Sequence, residues 1–233
     1  CETRYERIHR TFPGLIIAAG SSARMGGIDK IFTHIFERPI ISYSIQAMED
    51  CQSIGSIVLV LSRENIEKGR LLVECEGWSK VISIIAGGRR RQDSVRLGLS
   101  NGYNSHWTVI HDGARPCITP LMLKNSLIHA SINGSAVAAV PVKDTIKIVN
   151  DSLIVSKTPD RKHLWAAQTP QVFATKALRR AHEEITEDVT DDASMMEALG
   201  EKVSLFQGEY SNIKVTTEED IHLIERLMNN YCN

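Results

Sequence analysis

The sequence predicts an α/β fold built on a mostly parallel sheet, with helices on both faces and a protruding β-hairpin arm. Short apolar runs that suit buried strands alternate with longer stretches of helical periodicity, which is typical of right-handed βαβ crossovers. The 233 residues, 42% of them hydrophobic, suffice to bury one sizeable core. Glycine- and charge-rich stretches follow several predicted strands, so we expect them to meet at the sheet edge where such folds bind ligands.

In the first part of the chain, strands and helices are predicted in alternation. Buried strands are expected at residues 15–19, 57–61, 81–85, 107–111 and 136–142, and helices at Pro39, at 64–75, after Gly88 and at Pro120. Proline favours the first turn of a helix because its missing N–H would have no partner there.

After residue 142 the pattern changes from buried strands to a hairpin. Residues 145–149 alternate polar and apolar side chains, Asn150 and Asp151 indicate a turn, and residues 153–156 resume the strand. An isolated hairpin is marginal in water, so an arm over about 143–162 should pack on something, with a second subunit as a natural candidate. Helices at 174–187, 191–199 and 218–229 and a strand at 202–206 complete a single domain over 14–229, preceded by an N-terminal extension, 1–13.

Composition excludes several classes of protein. The 27 Lys and Arg residues balance 28 Asp and Glu residues, whereas a duplex nucleic acid binder usually has a basic excess. The longest apolar runs fall far short of the roughly 20 residues of a membrane-spanning helix. Five scattered cysteines without C-x-x-C spacing argue against a zinc site or a disulfide framework and fit a reducing cytoplasm.

The loop from Gly20 to Lys30 follows the first strand and could bind phosphate. Its glycines allow backbone N–H groups to approach an anion, and Arg24 and Lys30 add positive charge. The spacing matches neither G-x-G-x-x-G nor the P-loop motif, so a dinucleotide-binding or P-loop enzyme is not expected. On these residues alone, a phosphate site and an ordinary strand-to-helix turn are equally well supported.

Two further stretches lie after predicted strands. The pair Gly87–Gly88 precedes a helix that could cradle a ligand with its N-terminus, although at least one of the three arginines that follow should be a solvated surface charge. Asp112 could hold a divalent cation or a ribose hydroxyl, or it could simply accept local amide hydrogen bonds. His111 is expected to be a packed strand residue. The dipole of a predicted helix by itself explains Asp191 and Asp192.

A series of motifs runs in a fixed order from about residue 14 to about residue 228. It consists of Ala18–Gly26, Lys30, Arg91–Val95, Asp112–Pro116, Asp144–Thr145, Asp160–Arg161, Gln168–Gln171, Thr190–Asp192 and Asn212–Thr216. Together these motifs resemble the 2-C-methyl-D-erythritol 4-phosphate cytidylyltransferase family. The sequence departs from that family at Ser22, where many members have glycine, and at Asp29 and Ile31, where proline and glutamine are common.

The resemblance implies a Rossmann-like nucleotidyltransferase fold and a homodimer clasped by the arm. It implies transfer of CMP from CTP to 2-C-methyl-D-erythritol 4-phosphate, a sugar-alcohol phosphate, with release of pyrophosphate, in the non-mevalonate isoprenoid pathway. It also implies Mg²⁺ or another divalent cation, held by Asp112.

The resemblance further assigns roles to matched positions. Arg24 and Lys30 would stabilise the triphosphate and the charge that develops at its α-phosphorus, while Arg161 and Lys214 would position the methylerythritol phosphate. The positions expected to contact CTP are Ala18, Ala19, Gly20, Gly88, Ser94 and Asp112. Those expected to contact the acceptor are Asp112, Arg115, Thr145, Arg161, Thr190 and Lys214, with Thr145 and Arg161 serving the site of the partner subunit.

Two alternatives stay open on the sequence. A ribitol 5-phosphate cytidylyltransferase would share the fold and much of the Gly20–Lys30 loop, but the motifs at Gln168–Gln171, Thr190–Asp192 and Asn212–Lys214 favour the methylerythritol enzyme. A non-catalytic nucleotide-binding dimer is the other alternative, and the retained cations argue against it. The preference for cytosine rests on the resemblance alone.

Overall fold

A computed structural model describes residues 11–20, 30–101 and 105–229. The strands are β1 (Phe12–Ala18), β2 (His34–Ile35), β3 (Arg38–Pro39), β4 (Ile54–Leu61), β5 (Val81–Ala86), β6 (Trp107–Asp112), β7 (Ser135–Pro141), β8 (Ile148–Val149), β9 (Val155–Lys157), β10 (Trp165–Ala174) and β11 (Leu205–Gln207). The α-helices are α1 (Ile40–Asp50), α2 (Ile66–Glu76), α3 (Arg91–Asn101), α4 (Pro120–Asn133), α5 (Thr175–Glu184), α6 (Asp192–Ala198) and α7 (Glu218–Asn229).

Seven of these strands form one twisted sheet in the order β11-β7-β10-β6-β1-β4-β5. Strand β1 runs parallel to both β4 and β6, β5 is parallel to β4, and β11 is parallel to β7. Only β10 runs antiparallel to its neighbours β6 and β7 within this sheet. The prediction of a mostly parallel sheet is therefore confirmed, and the carboxyl ends of β1, β5 and β6 lie at one edge.

The core lies on both faces of the sheet because successive strand residues point in opposite directions. Ile16 faces a cluster that includes side chains of α1, α2 and α4, whereas Leu15 and Ile17 face one that includes α3, α5 and α6. Residues 57–61 of β4 are all fully buried, as expected of a strand covered on both sides. Within the described ranges, no helix is both long enough and apolar enough to cross a bilayer.

Helix starts follow the local sequence signals. Helix α4 begins at Pro120 as predicted, and the Thr119 hydroxyl caps it by accepting a hydrogen bond from the Met122 N–H at 3.1 Å. At the start of α7, the Asp220 carboxylate accepts hydrogen bonds from the backbone N–H groups of Thr216 and Thr217. These bonds satisfy donors that would otherwise lack intrahelical partners.

Strand β10 is not among the elements predicted from the sequence, so the prediction is corrected here. The polar side chains there are buried because distant segments provide their hydrogen-bond partners. Gln171, 1% exposed, donates to the Asp191 carboxylate at 2.8 Å and accepts from the Ala193 N–H at 3.1 Å. Those partners are about 20 positions further along the chain, so local composition could not reveal a buried strand.

The arm is a separate two-stranded sheet in which β8 pairs antiparallel with β9. Its turn is closed by Asn150, whose side-chain oxygen accepts from the N–H groups of Ser152 at 3.1 Å and Ile154 at 2.9 Å. The predicted hairpin is thus present, although its strands are shorter than expected. Its large apolar side chains are exposed, at Ile146, Ile148, Val149, Leu153, Ile154 and Val155.

Candidate active site

The carboxylate of Asp112, at the carboxyl end of β6, is the centre of a cluster of cations. Its Oδ1 accepts from Arg91 Nε at 3.1 Å, its Oδ2 accepts from Lys214 Nζ at 2.8 Å, and Arg115 Nε lies 3.8 Å from Oδ2. Burial raises the pKa of the Asp112 carboxyl, but the charges of Arg91 and Lys214 lower it by more, so its pKa lies well below the usual range. Asp112 is therefore ionised at neutral pH.

The backbone beside Asp112 is fixed by a buried polar network. The Asp112 N–H donates to Thr169 Oγ1 at 3.0 Å, and that hydroxyl lies 2.9 Å from His111 Nδ1. His111 Nε2 lies 3.1 Å from the Arg115 carbonyl oxygen, which requires a donor, so Nδ1 accepts from the threonine hydroxyl. Burial lowers the pKa of His111 to about 4, so the ring is neutral. His111 is fully buried, which confirms its prediction as a packed strand residue.

Arg91 connects Asp112 to a second carboxylate. Its Nη1 donates to Asp192 Oδ2 at 2.6 Å, and Asp192 is 1% exposed. The helix dipole therefore does not explain Asp192 on its own, and the sequence interpretation of this residue is corrected. The expectation that at least one of the three arginines is a solvated surface charge is confirmed, because Arg89 is exposed. Arg90 pairs with Asp93 and Asp188.

Glycines allow two strand ends to approach closely beside this cluster. A Cβ on Gly87 would overlap the Ala19 Cβ and would lie 2.7 Å from Ser94 Oγ. The Gly88 N–H donates to the same Ser94 hydroxyl at 3.1 Å. A Cβ on Gly113 would similarly lie 3.0 Å from the Cβ of Ala18.

Most positions expected to contact CTP therefore lie close together at the sheet edge beside Asp112, and this part of the edge is called the Asp112 crevice below. The convergent residues are Ala18, Ala19, Gly88, Ser94 and Asp112. Gly20 is exposed and ends the described segment that contains β1. Arg24 lies outside the described residues, and Lys30, which is partly buried, begins the next described segment just before Ile31.

The residues expected to contact the acceptor fall into two groups. Arg115 and Lys214 belong to the Asp112 cluster, whereas Thr190 is exposed two residues before Asp192, with its Oγ1 3.1 Å from Ser194 Oγ. Thr145 and Arg161 instead lie on the arm and are exposed. The Arg161 guanidinium donates to the Lys143 carbonyl at 2.7 Å, and nothing in the described chain bonds it to the Asp112 cluster.

Two contributors to the site were not identified from the sequence. Thr169 holds the backbone of Asp112, and the backbone carbonyl of Asn212 accepts from Arg115 Nη1 at 2.7 Å. The fully buried Asn212 side chain in turn donates to the Thr169 carbonyl at 2.8 Å. Both residues belong to the motif series, but nothing in their spacing indicates that they contact each other.

Comparison with known proteins identifies similar sequences and structures. A family model described as 2-C-methyl-D-erythritol 4-phosphate cytidylyltransferase matches residues 14–230. A protein of that name from Dehalococcoides mccartyi strain 195 is 42% identical over 214 residues, covering 92% of this chain and 94% of that protein. One from Alkaliphilus oremlandii is 40% identical over 220 residues, covering 92% of this chain and 93% of that protein.

Solved structures agree with this similarity. The structure of 4-diphosphocytidyl-2C-methyl-D-erythritol synthase from Anaerococcus prevotii superposes with a TM-score of 0.85 at 26% identity, covering 97% of this chain and 100% of that one. The 2-C-methyl-D-erythritol 4-phosphate cytidylyltransferase of Thermus thermophilus superposes with a TM-score of 0.76 at 28% identity, covering 93% of this chain and 98% of that one.

Proposed function

The chain belongs to the 2-C-methyl-D-erythritol 4-phosphate cytidylyltransferase family, and we propose that the Asp112 crevice is where it carries out the reaction of that family. The enzyme is a nucleotidyltransferase of isoprenoid biosynthesis that joins CMP from CTP to 2-C-methyl-D-erythritol 4-phosphate and releases pyrophosphate.

The observation that supports this placement is the surplus of positive charge around a buried, ionised carboxylate. Three cations, Arg91, Arg115 and Lys214, surround Asp112, and Asp192 offsets one of them, which leaves a single net positive charge. Two anionic substrates must come together for this reaction. Preorganised cations in a poorly solvated crevice reduce their mutual repulsion and stabilise the charge of the transition state.

The chemistry requires no general base from the protein. The second pKa of a phosphate monoester is near 6, so the acceptor is largely ionised at neutral pH. One of its oxygens attacks the α-phosphorus of CTP, a new P–O bond forms, and the bond to pyrophosphate breaks with its electron pair on the leaving oxygen. His111 takes no part in this step, because both of its ring nitrogens are occupied in the interior.

The remaining cations are assigned to the phosphates. We assign Arg24 and Lys30 to the triphosphate, and Lys214 to the acceptor phosphate on the Asp112 side of the crevice. Lys214 fits this role because its side chain is 37% exposed, so its ammonium can bind Asp112 and an incoming phosphate together. The nucleoside would lie along Ala18–Gly20 and the Gly88–Ser94 turn, where the backbone approach is close.

The donor set around Asp112 fits Mg²⁺ only when substrate phosphates contribute. In the described parts of the chain no group of three or more acidic, histidine or cysteine side chains could hold a metal. Mg²⁺ in nucleotide sites commonly uses one or two carboxylates and completes its shell with phosphate oxygens and water. Asp112 is an ionised carboxylate of this kind, and the bound ion would neutralise charge on the triphosphate.

We further propose a homodimer joined through the arm, in a reducing cytoplasm. The arm exposes six large apolar side chains, and Leu153 alone is 80% exposed. Such a surface is typical of a protein–protein contact. A partner subunit would also bring Thr145 and Arg161 to the crevice of the opposite chain. Cys51, Cys75 and Cys117 are free, which fits the reducing compartment.

The proposed reaction is tested by pyrophosphate release with each of four nucleotides and with both methylerythritol phosphate and ribitol phosphate. We expect turnover only with CTP and the methylerythritol phosphate. Removing one preorganised cation typically costs ~10²–10³ in kcat, roughly 3–4 kcal/mol, so Arg24→Ala and Lys30→Ala should each lose about that much. Arg70→Ala, which removes an exposed cation from α2, is the matched control. Wild-type rates for both loop variants would contradict the assignment.

A further inference from the structure

Arg91 binds a second, buried carboxylate, that of Asp192, to which the proposed reaction assigns no role. Asp192 lies at the start of α6, with Oδ2 2.6 Å from Arg91 Nη1 and Oδ1 3.4 Å from His182 Nε2. His182, on α5, is 5% exposed. The side chains of Asp112, Arg91, Asp192 and His182 thus form a continuous line from the crevice into the interior.

The orientation of the Arg91 guanidinium is fixed by its two carboxylate partners. A guanidinium is planar, and its donors have fixed directions. Arg91 uses Nε for Asp112 and Nη1 for Asp192, so the two carboxylates together fix the rotation of the group. Burial raises the pKa of the Asp192 carboxyl, but the charge of Arg91 lowers it by more, so Asp192 remains ionised and retains its hold on the guanidinium.

The segment that leads into Asp192 is held by contacts that do not involve Arg91. Arg90, just before α3, donates to the Thr186 carbonyl at 3.1 Å and to the Asp188 carboxylate at 2.8 Å. In the first turn of α3, Gln92 donates to the Glu187 carbonyl at 3.1 Å and accepts from the Val189 N–H at 3.2 Å. The segment before α6 is therefore held against the first turn of α3 on both sides of Arg91.

We propose that Asp192 is a positioning residue that sets the orientation of Asp112 through Arg91. The proposal rests on the proposed function, because it gives the buried pair a purpose only if Asp112 contacts the substrates. In this arrangement Asp192 holds Arg91 away from the incoming triphosphate. A guanidinium released from Asp192 would turn toward the phosphates. Asp112 would then lose its hydrogen bond from Arg91 and keep the one from Lys214.

This arrangement predicts a separation of kcat from KM. In Asp192→Asn, Arg91 keeps a hydrogen-bond acceptor but loses its ionic anchor. We expect kcat to fall about tenfold because Asp112 is misplaced, whereas the KM for CTP should stay within about twofold because the released arginine still attracts the triphosphate. A purely structural defect would instead lower the fraction of active enzyme and the thermal unfolding midpoint. Its effect on kcat would then add to that of a change at Arg91.

The decisive experiment is a double-mutant cycle with Arg91→Gln, because residues that act through one another give non-additive effects. If Asp192 acts through Arg91, the double variant should be no more than about twofold slower than Arg91→Gln alone. Losses in kcat that multiply would overturn the proposal, as would wild-type kcat in Asp192→Asn. If Asp192→Asn does not fold, Asp192→Glu, which keeps the charge on a longer side chain, replaces it in the same cycle and is judged by the same criterion.

Asp112→Asn distinguishes failure of this proposal from failure of the proposed function. If Asp112→Asn is inactive while Asp192→Asn matches wild type, only the positioning role is wrong. If Asp112→Asn retains full turnover, the crevice itself is misassigned and the positioning role is also overturned. Asp220→Asn, which removes a carboxylate that caps α7 and contacts no residue of this line, is the matched control.

Discussion

The Asp112 crevice and the arm are opposite kinds of surface on one chain. In the crevice, each charged side chain around Asp112 has partners within the chain, and the central carboxylate is 6% exposed. On the arm, β8 and β9 pair with each other and with no other strand of the described residues, and the apolar side chains of Ile148 and Ile154 are 48% and 64% exposed. The charged groups of the first region are held in place by partners in the same chain, whereas the second region exposes a surface that normally requires a partner.

This difference indicates how the reaction would be divided between the subunits of the proposed homodimer. Asp112, Arg115 and Lys214 are preorganised by contacts that exist before any partner binds. In the described chain, the Arg161 guanidinium bonds the Lys143 carbonyl at the base of the arm and no residue of the Asp112 cluster, so its distance from any crevice depends on where the arm docks. The nucleotide side of the site should therefore tolerate dissociation of the dimer, while the acceptor side should not.

The largest expected effect comes from making the arm polar. The double variant Leu153→Asp/Ile154→Asp places two charges where the arm is most exposed, so we expect the homodimer to dissociate. Turnover should fall on the order of 10²-fold, because Thr145 and Arg161 would no longer reach the opposite crevice. Analytical ultracentrifugation and pyrophosphate release measure the two effects on the same samples.

Ser152→Asp is the matched control for this variant. It adds negative charge to the same turn without removing apolar surface, and its backbone N–H still has the Asn150 side chain as acceptor. The control should stay dimeric and active. A monomeric double variant with full turnover would show that one chain holds a complete site. The proposal that the arm of a partner subunit serves the crevice would then be wrong.

The fold was largely predictable because its signals are local. Buried apolar runs such as residues 57–61 and helix-start signals such as Pro120 act over a few residues, and the structure confirms both. Strand β10 was not predictable in the same way. Its buried Gln171 is stabilised by Asp191 and Ala193, and such partners become visible only after the chain has folded.

In the site, too, residues with local sequence signals were predictable and residues defined by distant contacts were not. Asp112 could be singled out because it follows a buried strand and precedes glycine, which is a local pattern. Arg91 could not be separated from Arg89 and Arg90, since the difference lies in a contact with Asp192, 101 positions away. Burial and pairing of charges are tertiary properties, so a run of arginines predicts the presence of charge but not its partner.

A smaller effect is expected on stability, which should depend on pH through the buried network around His111 and not through the exposed arm. The folded-state pKa of His111 is about 4, below the ordinary value of 6.5, so the unfolded chain binds more protons between these two values. Stability from this residue is present above pH 6.5 and is lost as the pH falls toward 4. Between pH 7 and pH 5 the loss should be about 2 kcal/mol.

His111→Gln isolates this contribution. A glutamine amide can donate to the Arg115 carbonyl and accept from the Thr169 hydroxyl, but it does not titrate. Urea unfolding at pH 7 and pH 5, in buffer without Mg²⁺, should show a loss of stability about 2 kcal/mol smaller in the variant than in the wild type. An equal loss in both proteins would mean that His111 is not the source.

The smallest expected effect lies where the two regions join. Tyr210 donates its hydroxyl to the carbonyl of Pro141, the last residue of β7, at 2.7 Å, and its ring lies 3.8 Å from Lys143 Nζ. Tyr210→Phe removes the hydrogen bond and keeps the ring for the ammonium, so the free energy of unfolding should fall by about 1 kcal/mol or less. Turnover should stay unchanged, because docking on a partner, rather than this bond, would fix the arm in the active dimer. A tenfold loss of turnover at unchanged stability would instead mean that the base of the arm positions Arg161 directly, and that the contacts which preorganise the site within one chain extend past Pro141 into the arm.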